Sequence, residues 1–228
     1  MPGDYTSENE GITIPHVNLL KPGEIDDILA HSNVVKYSKR DVIFLQNTRT
    51  SHIMVIKSGL VKVYREGRNN KVVILKIAKP DTFLGLMSIF GQEIHQYSAS
   101  AIEPTEIVFI DINVFRNVLH ANGQYGLKII NLLSLDGLYI FNKLMGQIHK
   151  QLPGRIADVL LYFAEDVFKA QKFYLPFTRR ELAELAGTTK ESLIRTLTEF
   201  KNDKIIDLDG SSIEIKSLKI IKTLSELG

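Results

Sequence analysis

The 228-residue sequence predicts an α+β chain: a strand-rich N-terminal half, a long helix, and a C-terminal winged helix-turn-helix. Three observations carry this. Residues 42–111 hold short Val-, Ile- and Phe-rich runs separated by turn signals. Residues 112–150 contain no proline and repeat apolar residues at helical spacing. Residues 178–200, TRRELAELAGTTKESLIRTLTEF, read as two short helices joined at Gly187.

The strand runs are VIFLQ (42–46), IMVIKSGLVKVYRE (53–66), KVVILKIA (71–78) and TEIVFID (105–111). Lys57-Ser58-Gly59, Arg68-Asn69-Asn70, Lys79-Pro80-Asp81 and Glu103-Pro104 punctuate them. Short, evenly spaced strands indicate a β-sandwich or a short barrel-like roll. Residues 1–15 read as a loose arm ending at Pro15.

The long helix carries two apolar stripes. One holds Ile130, Leu133, Ile140 and Leu144; the other holds Leu127, Leu138, Phe141, Met145 and Ile148. One stripe suffices to dock a helix on its own sheet. Two suggest that the second meets another copy of the chain. Leu152-Pro153-Gly154 then reads as a break and a hinge. The expected domains are residues 1–111 (arm and β-roll), 112–152 (dimerisation helix) and 153–228 (winged helix-turn-helix).

The last domain should open with a helix over Arg155–Lys169. Each short helix that follows carries a capping-box signature: Thr178 with Glu181, and Thr188 with Glu191. With Thr188 as N-cap, Leu193, Leu197 and Phe200 face inward onto Leu182, Ala183 and Leu185. Thr189, Lys190, Glu191, Ser192, Arg195 and Thr196 face outward. A recognition helix presents its N-terminal residues to the major groove. Arg195 can pair with guanine O6 and N7, and Glu191 can accept from cytosine N4. Arg179, Thr189, Lys190 and Lys201 suit phosphates. Asp207-Leu208-Asp209-Gly210 between Ile205-Ile206 and Ile213-Glu214-Ile215 predicts the hairpin of a wing, and residues 217–227 a closing helix.

Composition bounds the chemistry. Net charge is +2, so DNA affinity must come from a local cluster of cations. The absence of cysteine excludes disulfides, thiolate zinc sites and cysteine-ligated iron–sulfur clusters. No histidine spacing resembles a metal site, and haem is not expected at His52 or His95. No P-loop, GxSxG, HExxH or dinucleotide fingerprint is present, and Asp111, Asp136 and Asp158 are too scattered to form a catalytic pair. The chain is therefore expected to be neither an enzyme nor a membrane protein, and to act in the cytoplasm.

The order of strand-rich cassette, long helix, Pro-Gly-Arg-Ile-Ala (153–157) and TRRELAELAGTTKESLIRTL resembles the Crp–Fnr family of bacterial transcription regulators, from about Val17 to Ile215. The resemblance implies a jelly-roll-like β-roll of the cyclic-nucleotide-binding-domain type and a homodimer on a near-palindromic double-stranded operator. Half-sites would lie about one helical turn, ~34 Å, apart. RNA polymerase would be the partner in activation. Lys190, Glu191 and Arg195 match the family's base-reading positions, with lysine replacing the usual arginine at Lys190. Arg179, Thr188 and Thr189 match phosphate-contacting ones.

The sensor half departs from the cyclic-nucleotide branch. The cassette is Phe83-Leu84-Gly85-Leu86-Met87-Ser88-Ile89-Phe90. Gly85 fits the family pattern, but Leu86 stands at the ribose-binding glutamate. Tyr97-Ser98 replaces the phosphate-gripping Arg-Ser pair, and Ile140 and Phe141 stand at polar purine-contacting positions. A buried phosphate without a cation is strongly disfavoured, so cyclic AMP is not expected to bind. Gly85, Leu86, Ser88, Tyr97, Ser98, Ile140 and Phe141 would line an apolar effector pocket for another small molecule, or a filled cavity with no effector. A cyclic-nucleotide-binding regulatory module without a DNA role is the alternative reading.

Overall fold

The computed structural model describes residues 12–68 and 71–228. Two compact units emerge. One comprises the residues up to Val63 with Ala78–Asp136; the other comprises Tyr64–Ile77 with Gly137–Gly228.

The first unit begins with a 3₁₀ turn at Val17–Leu19 and helix α1, Pro22–Ala30. Pro22 opens α1 where a missing N–H costs nothing. The strands are β1 Ser32–Tyr37, β2 Val42–Phe44, β3 His52–Ser58, β4 Val61–Glu66, β5 Val72–Ala78, β6 Phe83–Leu84, β7 Ser98–Ala101 and β8 Thr105–Asp111, with the short helix α2, Leu86–Phe90, after β6; the end of β4 and nearly all of β5 count with the second unit. They form two four-stranded sheets, ordered β1-β8-β3-β6 and β2-β7-β4-β5. The runs read as strands in the sequence are all strands here. β1, β6 and β7 add to them, each too short or too polar to announce itself. Of the Arg68-Asn69-Asn70 turn, Asn69 and Asn70 lie outside the described residues.

The core gathers Ile28, Ile53, Val55, Phe83, Val108, Ile110 and Phe115, closed by Tyr125 and Ile129. Ile14 is buried in it and Ile12 packs against it, so the end of the expected loose arm is anchored. The hydroxyl of Tyr125 donates to the carbonyl of Pro15 at 3.3 Å. Burying Ile14 removes apolar surface worth roughly 2 kcal/mol.

The expected single helix after residue 112 is two helices, α3 Ile112–Ala121 and α4 Gly123–His149. Asp111 is the N-cap of α3 and accepts from the N–H groups of Asn113 (2.8 Å) and Val114 (3.2 Å). These two bonds hold its carboxyl below the usual range. Asn122 makes the break. Its backbone N–H ends α3 on Val118, and its side-chain oxygen accepts from the N–H of Tyr125 at 3.0 Å. Its amide donates to Leu19 O and Glu24 Oε2, both at 2.8 Å. One residue thus closes one helix with its backbone, opens the next with its side chain and ties both to α1.

In the second unit α4 ends at His149, and α5 is Leu152–Leu161. The break therefore falls at Lys150-Gln151, and Pro153-Gly154 lies inside the first turn of α5. Proline is tolerated there because the first-turn N–H groups have no helical partner. The expected helix to Lys169 gives way to a π-helical segment at Tyr162–Val167. Its Phe163 is buried against Phe168, Phe173 and Phe177. Then come β9 Lys172–Tyr174, α6 Arg179–Ala186, α7 Lys190–Asn202, β10 Ile206–Asp209, β11 Ser212–Ile215 and α8 Leu218–Leu227. The wing is a three-stranded antiparallel sheet, β10-β11-β9, with the expected turn at Gly210. No helix among the described residues is long and apolar enough to cross a membrane.

Candidate nucleic-acid interface

Helices α6 and α7 form the turn the sequence anticipates. Thr178 Oγ1 accepts from the N–H of Glu181 (3.2 Å), and the Glu181 carboxylate accepts from the N–H of Thr178 (2.9 Å). This is the first capping box, as read. α6 ends at Gly187, whose φ of 65° is a left-handed conformation that glycine adopts without penalty.

The second cap is displaced by one residue. Thr189, not Thr188, caps α7, its Oγ1 accepting from the N–H of Ser192 at 3.2 Å. Thr188 is engaged by the preceding helix, since its N–H donates to Ala183 O at 2.9 Å. The next helix can therefore open only after it. The inward face is as expected: Leu182, Ala183, Leu185, Leu193, Leu197 and Phe200 are all buried. Thr196 is a correction, for it is 3% exposed and belongs to that inner face.

Lys190, Glu191 and Arg195 are exposed on the outer face, with Thr189 at its N-terminal edge and Ser192 half-buried. Among the described residues no ion pair links Arg195 to Glu191 or Glu199, so its guanidinium is available to an external acceptor. The first turn of α7 contributes its partial positive charge to the same surface.

Arg179 and Lys201 have a second occupation. Arg179 Nη2 donates to the carbonyl of Gly210 at the wing tip, and Lys201 Nζ donates to Leu208 O at 2.7 Å. Burial lowers the Arg179 pKa from its usual value. Both cations fasten the hairpin to the reading helices, a role the sequence reading missed because their partners are backbone carbonyls. Each keeps further N–H donors for a phosphate.

The Phe83–Phe90 cassette lies in the first unit. Gly85 adopts φ 90° before α2. Its N–H donates to the Tyr97 hydroxyl at 2.9 Å, and burial pushes the Tyr97 phenol up to about 12. Leu86, Ser88 and Ser98 are buried. Ser98 Oγ accepts from the N–H of Gln46 at 2.9 Å. His95, 3% exposed, stacks on Phe44 with ring centroids 3.9 Å apart, and burial pushes its pKa down to about 4. Ser88 Oγ lies 3.4 Å from His95 Nδ1. Ile140 (half-buried) and Phe141 (exposed) belong to the second unit. No group of His, Asp and Glu among the described residues is arranged to hold a metal ion.

The family model for a cyclic nucleotide-binding domain matches residues 34–122, and that for a Crp-like helix-turn-helix domain matches residues 154–224. A CRP-like cAMP-activated global transcriptional regulator of Mycobacterium tuberculosis is 24% identical over 200 residues, covering 86% of this chain and 89% of the relative. The transcriptional activator protein FnrA of Stutzerimonas stutzeri is 21% identical over 210 residues, covering 90% and 85%. The structure of FixK2 from Bradyrhizobium japonicum superposes with a TM-score of 0.79 at 20% identity, covering 85% of this chain and 96% of that one. With a cyclic-nucleotide-binding-type roll and a Crp-like reading domain matched in this order, the chain belongs to the Crp–Fnr family of DNA-binding transcription regulators.

Proposed function

We propose that this protein is a homodimeric, sequence-specific DNA-binding regulator whose sensor cassette does not take cyclic AMP. The observation that carries the reading is the pairing of two unsatisfied surfaces. One is the exposed Lys190-Glu191-Arg195 face of α7. The other is the apolar outer face of α4: Leu127, Ile130, Leu138, Phe141, Leu144 and Ile148 are each more than half exposed. An apolar strip of that kind favours association with a second copy through the same helix. The inner face of α4 is set by Tyr125, Ile129, Leu132 and Leu133, so the strip is not needed to hold the helix on its own core. A dimer would carry two recognition helices to the two halves of a near-palindromic site. RNA polymerase as the partner in activation follows from the family.

The loss of cyclic AMP binding rests on charge. Residues 83–98 contain no lysine or arginine. Arg116 reaches the end of α2, but its Nη2 is held by Ile89 O (2.7 Å) and Glu93 (2.9 Å). His95 is neutral near pH 7, Leu86 has no acceptor for a ribose hydroxyl, and the Gly85 N–H is already bonded to Tyr97. A cyclic phosphate entering here would exchange water for an uncompensated site. This separates the chain from relatives whose names describe them as cAMP-activated.

Calorimetric titration of the purified protein with cyclic AMP, beside a mobility-shift assay on selected duplex, tests both parts. DNA binding with no saturable heat from the nucleotide is expected. Tight nucleotide binding without DNA affinity would replace this reading with that of a nucleotide-binding module.

A further inference from the structure

A cavity of about 270 Å³ opens within the second unit, between the C-terminal half of α4, α5 with the head of the π-helical segment, and the end of α6. Its lining includes Lys143, Lys150, Arg155, Asp158, Tyr139 and Tyr162. Lys150 is neutralised, with Nζ 2.7 and 2.9 Å from the two Asp158 oxygens. The other two cations are not. Lys143 Nζ donates to the carbonyls of Ile74 (2.9 Å) and Leu75 (3.1 Å), and no carboxylate pairs with it among the described residues. Among the described residues Arg155 donates only to the carbonyls of Ala186 (Nε, 3.2 Å) and Lys150 (Nη1, 2.9 Å). A part-buried lysine that meets only carbonyl dipoles is costly to keep charged, and burial pushes Lys143 down to about 7. An anion in the cavity would remove that cost. Tyr139 and Tyr162, with ring centroids 5.6 Å apart, form an aromatic wall on the same cavity. The volume falls just below the usual ligand-pocket range of about 300–1,000 Å³, which limits the occupant to a small molecule.

The geometry points to an effector site at this cavity for a small organic anion with a planar ring, its charged oxygens on Lys143 and Arg155 and its ring against Tyr139 and Tyr162. The site is separate from the β-roll cassette. It also stays accessible in the proposed dimer. Tyr139, Lys143 and Gly146 recur at i, i+4 and i+7 on one face of α4, while Phe141, Leu144 and Ile148 lie on the opposite face. Arg155 provides the link to DNA. The carbonyl it holds belongs to Ala186, immediately before the Gly187 turn that launches α7. An anion that competes for Arg155 would change the support of the recognition helix. That differential contact is what an effector requires. This coupling rests on the DNA-reading proposal, whereas binding itself does not.

The test is calorimetry on the full chain with phenyl phosphate and benzoate. Inorganic phosphate serves as the anion without a ring, and benzyl alcohol as the ring without a charge. Saturable binding of at least one aryl anion is expected, with weaker binding of the two fragments. Lys143→Gln should weaken it by at least about tenfold. Lys143→Arg should retain it, as should the surface control Lys219→Gln. Circular dichroism confirms that each variant is folded. Absence of saturable binding by either aryl anion at millimolar concentration overturns the site, as does equal affinity in the wild type and Lys143→Gln. Inorganic phosphate binding as tightly as phenyl phosphate overturns the aromatic half of the assignment. The bound aryl anion should also change affinity for selected duplex; unchanged DNA affinity with confirmed anion binding overturns the effector role alone.

Discussion

The backbone N–H of Gly85 donates to the hydroxyl of Tyr97 at 2.9 Å. The chain thus fills with its own phenol a donor at the head of the cassette helix. Tyr97→Phe should destabilise the fold by about 1–2 kcal/mol, the cost of a buried donor left without its acceptor. Urea unfolding followed by circular dichroism reads this as a lowered midpoint with an unchanged slope. An unchanged midpoint would mean that the bond contributes nothing. The same variant should still ignore cyclic AMP, because removing the hydroxyl supplies no cation.

His95 gives the cassette a pH signature. In the unfolded chain its imidazole titrates near ~6.5, whereas the folded site holds it down to about 4. Between these values the unfolded state binds more protons. The contribution is therefore intact above pH 6.5 and is lost progressively as pH falls toward 4. His95→Phe keeps the stack on Phe44 and removes the titration. Comparing chemical denaturation at pH 7 and pH 5, the wild type should lose more stability than the variant. Equal losses would contradict the assignment of a buried neutral imidazole.

Phe141 is 58% exposed at the middle of the apolar strip on α4. Phe141→Glu places a charge where the proposed partner helix would lie. Self-association should weaken about 30-fold or more, the size of one ~2 kcal/mol interface anchor. Sedimentation velocity should then find monomer at concentrations where the wild type is dimeric. Wild-type protein sedimenting as a monomer would remove the dimer from the account.

The reading surface separates two kinds of cation. Arg195→Ala should cost about 1–3 kcal/mol on selected DNA and relax preference at one base position per half-site. Lys201→Ala should weaken binding to all sequences and lower the salt slope by about one. Because Lys201 also holds Leu208 O, that variant should expose the wing amides to faster hydrogen exchange. Unchanged exchange would leave Lys201 with the phosphate role alone.

Legibility followed locality. The Thr178–Glu181 box, the Gly187 turn and the Asp209-Gly210 hairpin were readable because each is settled within four residues. The shift of the second cap from Thr188 to Thr189 was not, since it depends on a bond from Thr188 back to Ala183. Asn122 escaped notice because the apolar period runs on across it, while its partners Leu19 and Glu24 lie about a hundred residues away. Arg179 and Lys201 were legible as cations but not as clamps, since a backbone carbonyl leaves no mark in the sequence. The cavity around Lys143 had no signal at all. Its lining comes from α4, α5, α6 and the segments beside them, whose packing only the fold reveals.

The most direct measurement of the central claim is in-vitro selection of duplex DNA from a randomised pool by the full-length protein. An enriched inverted repeat is expected, its half-sites about one helical turn apart, ~10 base pairs centre to centre. Recovery of sequences with no shared motif, or of a single asymmetric half-site, would contradict it.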